Sequence, residues 1–184
     1  LRTRRQRQMC IRDSSSSANA NKELKIGLKA SGYNLKITNE HNQSKTITVP
    51  INSSAYYTAN KLNENLLGTG VVASAKTILA IGPLSKSVSG TFSFDLKGSN
   101  TDEVSITANV DKDDLSSLAK QINQFTSQTN IKAVSTSDFD RVFLISEQGY
   151  DIEMTNIVSP ADISMATLNN EFEMLNDRFH WIDI

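Results

Sequence analysis

One eight-residue segment occurs twice in this chain, and that recurrence constrains the fold more than any other feature. Gly32-Tyr-Asn-Leu-Lys-Ile-Thr-Asn39 aligns with Gly149-Tyr-Asp-Ile-Glu-Met-Thr-Asn156, with four of eight positions identical. The remaining positions exchange Asn for Asp, Leu for Ile, Lys for Glu and Ile for Met. The apolar alternation survives every exchange, so both copies read as half-buried strands entered through a turn glycine. A second similarity, at an offset of 60 residues, aligns Ala59, Leu62, Asn63, Val71 and Ala73 with Ala119, Ile122, Asn123, Ile131 and Ala133. Leu175-Asn176 repeats the aliphatic-Asn pair once more. Two blocks recurring in the same order predict a repeat architecture. The chain reads as the tail of one unit, two fuller units and the head of another. Chance similarity between amphipathic elements of an Asn-rich sequence is the competing reading.

The elements between these blocks follow from periodicity. Leu24, Ile26, Leu28 and Ala30 alternate, as do Leu35 and Ile37, which predicts a hairpin over 23–38 turning at Ser31-Gly32. Thr46 to Val49 is a β-branched strand closed by Pro50. Ser53 or Ser54 caps a helix carrying Tyr56, Ala59, Leu62 and Leu66, which Gly68 ends. Val71 to Ile81 reads as a strand, and Gly82-Pro83 with Ser85 to Gly90 as a linker. Phe92 to Leu96 and Val104 to Val110 make a second hairpin around Gly98-Ser-Asn100. Asp113 or Asp114 caps a helix whose stripe is Leu115, Leu118, Ala119, Ile122 and Phe125. Strands follow at Ile131–Ser135, Arg141–Ser146 and Tyr150–Thr155. Met165, Leu168, Phe172, Leu175 and Phe179 fall at helical spacing, capped by Asp162 or Ser164. The expected fold class is α+β, with tandem small modules, each an antiparallel β-sheet carrying one packed helix in β-β-α-β-β order. The modules run over 23–83 and 91–157, joined by a linker at 84–90, and 158–184 is the truncated start of a further repeat.

Composition must be read after the first thirteen residues are set apart. The 184 residues sum to a net charge of −1, but five arginines and the single Cys lie within residues 1–13. Arg4 to Asp13 can be encoded, codon by codon, by a transposase-type sequencing adapter read in one frame, so 1–13 is expected to be an adapter artefact and is excluded from fold reasoning. Residues 14–22 are a polar, flexible lead-in. The other 171 residues carry 14 basic and 19 acidic side chains, a net −5, and no Cys. Ser, Thr and Asn make up 54 of them. This balance excludes a disulfide scaffold and a Cys-based zinc site, argues against nucleic acid as a partner, and suits a bacterial surface or secreted module. No apolar run of 18 residues exists in the sequence, so no membrane-spanning helix is expected.

With the strand-helix-strand order in place, Phe92-Ser-Phe-Asp-Leu-Lys-Gly98, Leu118-Ala-Lys-Gln-Ile-Asn123, Ile131-Lys-Ala133 and Leu144-Ile-Ser-Glu-Gln-Gly-Tyr-Asp-Ile152 resemble the flagellin IN motif. The motif is named for the Ile-Asn pair, here Ile122-Asn123. The resemblance covers Phe92 to Asn156 well and extends more weakly over 24–81. It implies a surface-exposed variable domain of a flagellin, with other flagellin subunits in a filament as partners. The same resemblance extends to hook-associated proteins such as the filament cap, and repeats of a secreted adhesin that binds glycan or protein remain an alternative. Host or environmental surfaces are further expected contacts, and the implied location is extracellular, on the bacterial flagellum. Flagellins carry heptad-rich helices at both ends, and neither end here has them, so the resemblance implies an interior fragment.

No arrangement of residues predicts catalysis, a cofactor or a metal centre, and the chain is expected not to be an enzyme. Asp111, Asp113 and Asp114, and Asp138 with Asp140, lack the ligand spacing of a calcium loop. They read as a helix cap and a solvated turn beside Arg141. His41 and His180 stand apart from any nucleophile motif, and Gly68-Thr-Gly70 lacks the lysine of a phosphate loop. The residues singled out are structural: Ile122, Asn123, Leu62, Asn63, Gly149, Tyr150, Gly32 and Tyr33. For Asn63, Asn123 and Asn176 two readings stay open. The amide either bonds free backbone groups of an adjacent strand or points into solvent.

Overall fold

In the computed structural model, the described residues are 24–26, 32–38, 44–67, 72–85, 88–168 and 180–182. The first part of the chain contributes strands β1 (Leu24–Ile26), β2 (Tyr33–Thr38) and β3 (Ser44–Val49), helix α1 (Ala55–Asn65) and strand β4 (Thr77–Leu84). Then come β5 (Gly90–Lys97), β6 (Val104–Val110), α2 (Ser116–Gln124), the single turn α3 (Thr126–Thr129), β7 (Lys132–Ser135) and β8 (Val142–Ser146). The chain continues through β9 (Ile152–Val158), β10 (Ile163–Leu168) and β11 (His180–Ile182). The class is α+β, and every strand pairing among the described residues is antiparallel.

The strands form two larger sheets and a separate hairpin. One sheet has the order β1-β9-β5-β6, the second β11-β10-β4-β8-β7, and among the described residues β2 pairs only with β3. Their inner faces share one core. Phe92, Phe94 and Leu96 of β5, Ile106 and Val110 of β6, and Ile152 and Met154 of β9 meet Leu79 and Ile81 of β4 and Val142 and Leu144 of β8. The α2 stripe predicted from sequence closes this core, with Leu118 and Ile122 fully buried and Phe125 partly so. Leu115, also fully buried, precedes the helix. Each of these aliphatic side chains contributes about 1.5–3 kcal/mol relative to exposure. The helix packs on β6 and β7, the outer strands of the two sheets, and so bridges their edges.

Four expectations need correction. The hairpin expected over 23–38 is replaced by two separate pairings, β1 with β9 at the edge of one sheet and β2 with β3, because each strand finds its partner outside that segment. The apolar spacing from Met165 predicted a helix, but Ile163–Leu168 is strand β10. It lies between β4 and β11, and all but one of its residues are buried, so apolar residues occur on both faces. A strand buried on both sides shows no period of two and imitates a short helical pattern. Phe172, Leu175 and Phe179 lie outside the described residues. Gly82-Pro83, expected in the linker, are part of β4, joined by a cis peptide bond, and Leu84 closes that strand. The β4–β10 register shifts beside them, between Met165 and Ile163, and this irregularity is what accommodates a proline in a central strand. Gly82 has φ +101°, and a Cβ there would stand 2.4 Å from the Asp140 carbonyl oxygen. Finally, the strand expected from Val71 begins only at Thr77.

The sheets also interleave the expected modules. β4, from 23–83, sits between β8 of 91–157 and β10 of 158–184. A strand buried on both faces needs a neighbour along each edge, and residues distant in sequence supply them.

Candidate functional site

The most specific polar geometry lies where each of two helices meets the chain that follows it. In α2, Asn123 Nδ2 donates to the Ala133 carbonyl at 2.8 Å, and the Ala133 amide donates back to Asn123 Oδ1 at 2.8 Å. In α1, Asn63 Nδ2 donates to the Ala73 carbonyl at 2.9 Å, and the Ala73 amide donates to Asn63 Oδ1 at 2.7 Å. One amide side chain thus matches both backbone groups of a residue ten positions later, twice. Among the described residues β7 is the outer strand of its sheet, paired only with β8. With its amide and carbonyl both turned to Asn123, Ala133 opposes Leu144 as a non-hydrogen-bonded pair. Asn123 takes the place that a further strand would occupy, and it protects an edge that would otherwise be open.

The neighbouring residues explain why the Asn stands where it does. Ile122 is fully buried against the sheets and fixes the rotation of α2, which turns the next position toward β7. Leu62 is half-buried beside Asn63. Ser54 caps α1, its Oγ accepting the Tyr57 amide at 3.1 Å. At α2 the residue at the cap is Leu115, whose amide donates to the Phe139 carbonyl at 2.7 Å. Asp114 serves the next position, its Oδ1 accepting the Ser116 amide at 2.8 Å.

Gly149 and Tyr150 form a second joint. Gly149 is buried in the turn after β8 with φ +78°, and its carbonyl accepts the Tyr56 amide at 2.8 Å. A Cβ at Gly149 would lie 2.4 Å from the Ala75 Cβ. Tyr150 stacks on Tyr56 with ring centroids 4.1 Å apart and planes at 22°. The hydroxyl contact with Tyr150 holds the Tyr56 phenol below its ordinary pKa, and the same contact raises that of Tyr150. The start of α1 is thereby tied to the turn between β8 and β9. Gly32 and Tyr33 are not brought to this joint. Gly32 precedes β2 close to the Val49 carbonyl, and the Tyr33 hydroxyl is buried without a hydrogen-bond partner among the described residues.

The carboxylates are engaged locally. Asp95 accepts from Asn156 Nδ2 at 2.7 Å and Ser105 Oγ at 2.5 Å, and these bonds lower its pKa. Asp111 is lowered by the Ser89 hydroxyl and the Asp113 amide, and Asp114 by the Ser116 hydroxyl and amide. Asp138 accepts from Ser137 at 2.7 Å, while Asp140 lies 4.0 Å from Arg141. Such a set holds turns and caps in place. Gly68–Gly70, His41 and Asn176 fall outside the described residues, as do 1–22. The partners Ala73 and Ala133 were among the aligned positions of the repeat, so the sequence did carry a signal for the backbone residues the asparagines hold. Gly98 had no such signal. A Cβ there would meet the Thr129 carbonyl at 2.2 Å, where α3 passes the end of β5.

Residues 91–148 match the family described as Flagellin hook IN motif, a stretch running from β5 through α2 to the end of the β8 turn. It contains the Asn123–Ala133 bonds and the core stripe, and it supports the flagellin-family resemblance drawn from the sequence. No curated protein matches the chain. Among the described residues no helix is long and apolar enough to cross a membrane.

Proposed function

We propose that this chain is a structural segment of a flagellin-like protein, displayed in the surface-exposed outer domain of a bacterial flagellar filament. The observation that carries the reading is the match of residues 91–148 to the flagellin hook IN motif, on a block that contains the Asn123–Ala133 bonds. Its work is mechanical and interfacial. An acidic exterior rich in Ser, Thr and Asn keeps a crowded polymer soluble, and the closed core resists shear. The role is non-enzymatic, the location extracellular, and the first partners are other subunits of the same polymer.

The test is immunogold electron microscopy with antibodies raised against the purified chain. Gold along the filament shaft is the expected result. Gold confined to the hook or the filament tip would assign the segment to a hook-associated or cap protein, and gold on the cell envelope alone would contradict both.

A further inference from the structure

The two helix-bearing hairpins are built alike but are not equally covered. In each, a first strand pairs with a second, the second carries a helix, and an Asn of that helix holds a later alanine. The sets are β2-β3-α1 with Asn63–Ala73 and β5-β6-α2 with Asn123–Ala133. β5 has a strand on each side, β6 and β9. Its counterpart β2 has only β3, and its other edge carries no strand among the described residues.

Burial records this difference. Phe92 and Phe94 of β5 are 0% and 2% exposed, whereas Leu35 and Ile37, at the equivalent alternating positions of β2, are only half-buried. An unpaired strand with an apolar face is a template for pairing. The strand that fills the equivalent place beside β5 identifies the occupant. β9 overlaps Gly149–Asn156, the segment that repeats Gly32–Asn39, so that its Ile152–Thr155 aligns with Leu35–Thr38 of β2 and keeps the same apolar alternation. It pairs with β5 antiparallel.

We infer that the open edge of β2 pairs antiparallel with β2 of a second copy of this chain. The internal β9–β5 pair is the template, since it joins a strand that repeats part of β2 to a strand in the β2 position. An antiparallel pair of identical strands is two-fold symmetric, so one surface serves both copies. Six residues a side bury far less than the roughly 1,200 Å² of a stable complex. The contact is therefore weak between free chains. It becomes populated where tethering in a polymer raises the effective concentration to about millimolar.

Amide hydrogen exchange of the full chain under reducing conditions, followed by NMR from micromolar to about millimolar concentration, tests this. Successive amides of a strand face opposite edges. The amides of β2 that face β3 should be protected at every concentration, and the alternate ones only as concentration rises. Alternate amides that stay unprotected throughout would overturn the proposal. Alternate amides protected equally at all concentrations would also overturn it, because a segment of the same chain would then hold the edge. Lys36→Pro and Ile37→Pro supply a second arm. One of the two removes the outward donor, and it should keep the hairpin's protection while losing the concentration dependence. If both substitutions abolish the hairpin, the exchange profile of the unsubstituted chain decides alone.

Discussion

Replacing Asn123 by Ala removes two hydrogen bonds of 2.8 Å and leaves the amide and carbonyl of Ala133 facing outward from the edge of a sheet. A neutral hydrogen bond contributes about 0.5–1.5 kcal/mol net. Asn123 is exposed, so water reaches the freed groups and tempers the loss. The expected destabilisation is about 1–2 kcal/mol, below the roughly 3 kcal/mol that two fully buried bonds would approach. In a chain of this size that lowers Tm by about 2–8 °C. Asn123→Asp sharpens the test, because the carboxylate still accepts from the Ala133 amide but faces the Ala133 carbonyl with no donor. It should melt no higher than Asn123→Ala above the carboxylate pKa. Gln124→Ala, at an exposed neighbouring position, should stay within about 0.5 kcal/mol of the unsubstituted chain. Thermal and urea unfolding followed by circular dichroism measure all three. An Asn123→Ala midpoint indistinguishable from that of Gln124→Ala would refute the reasoning, and the asparagine would then be a solvated residue.

Other perturbations follow from the same contacts. Ile122→Asp places a carboxylate at a fully buried position between the sheets and should abolish the cooperative melt, a loss visible in near-ultraviolet circular dichroism. Gly149→Ala forces a side chain into φ +78° against Ala75 and should cost about 1–3 kcal/mol, read from the urea midpoint. The pKa values of Asp95, Asp111 and Asp114 are lowered by their hydrogen bonds, so their contribution is complete above the ordinary carboxylate pKa and disappears as pH falls through the lowered folded values. Melting temperature should therefore fall on acidification below about pH 4, and Asp95→Asn should flatten part of that fall.

Much of this architecture is legible in the residues, for reasons that can be named. The β5–β6 hairpin has one face toward the core and one toward solvent, so Phe92, Phe94, Ile106 and Ala108 alternate cleanly with polar residues. The α2 stripe is legible because a helix lying across two sheet edges buries one side only. β4 and β10 are different. Both are covered on two faces, with Ile78, Ala80, Ala166 and Leu168 in a second apolar cluster behind the main one, and such strands lose the alternation that marks a boundary. That is why Gly82-Pro83 reads as a linker and Met165 as the start of a helix. The joint between Tyr56 and Tyr150 spans 94 positions and involves a backbone amide and carbonyl, groups every residue has. The asparagines sit between these extremes. Their recurrence is visible, and so is that of Ala73 and Ala133, but hydrogen bonding between them requires the helix rotation set by Ile122 and its neighbours.

Two asparagines each hold a strand-like residue by both its backbone groups. Scalar couplings across hydrogen bonds, measured by NMR on isotope-labelled chain, test this directly. Couplings from Asn123 Nδ2 to the Ala133 carbonyl carbon and from Asn63 Nδ2 to the Ala73 carbonyl carbon are the predicted result, with slowed exchange of both side-chain amides. Freely exchanging side-chain amides at both positions, with no coupling to either alanine, would contradict it.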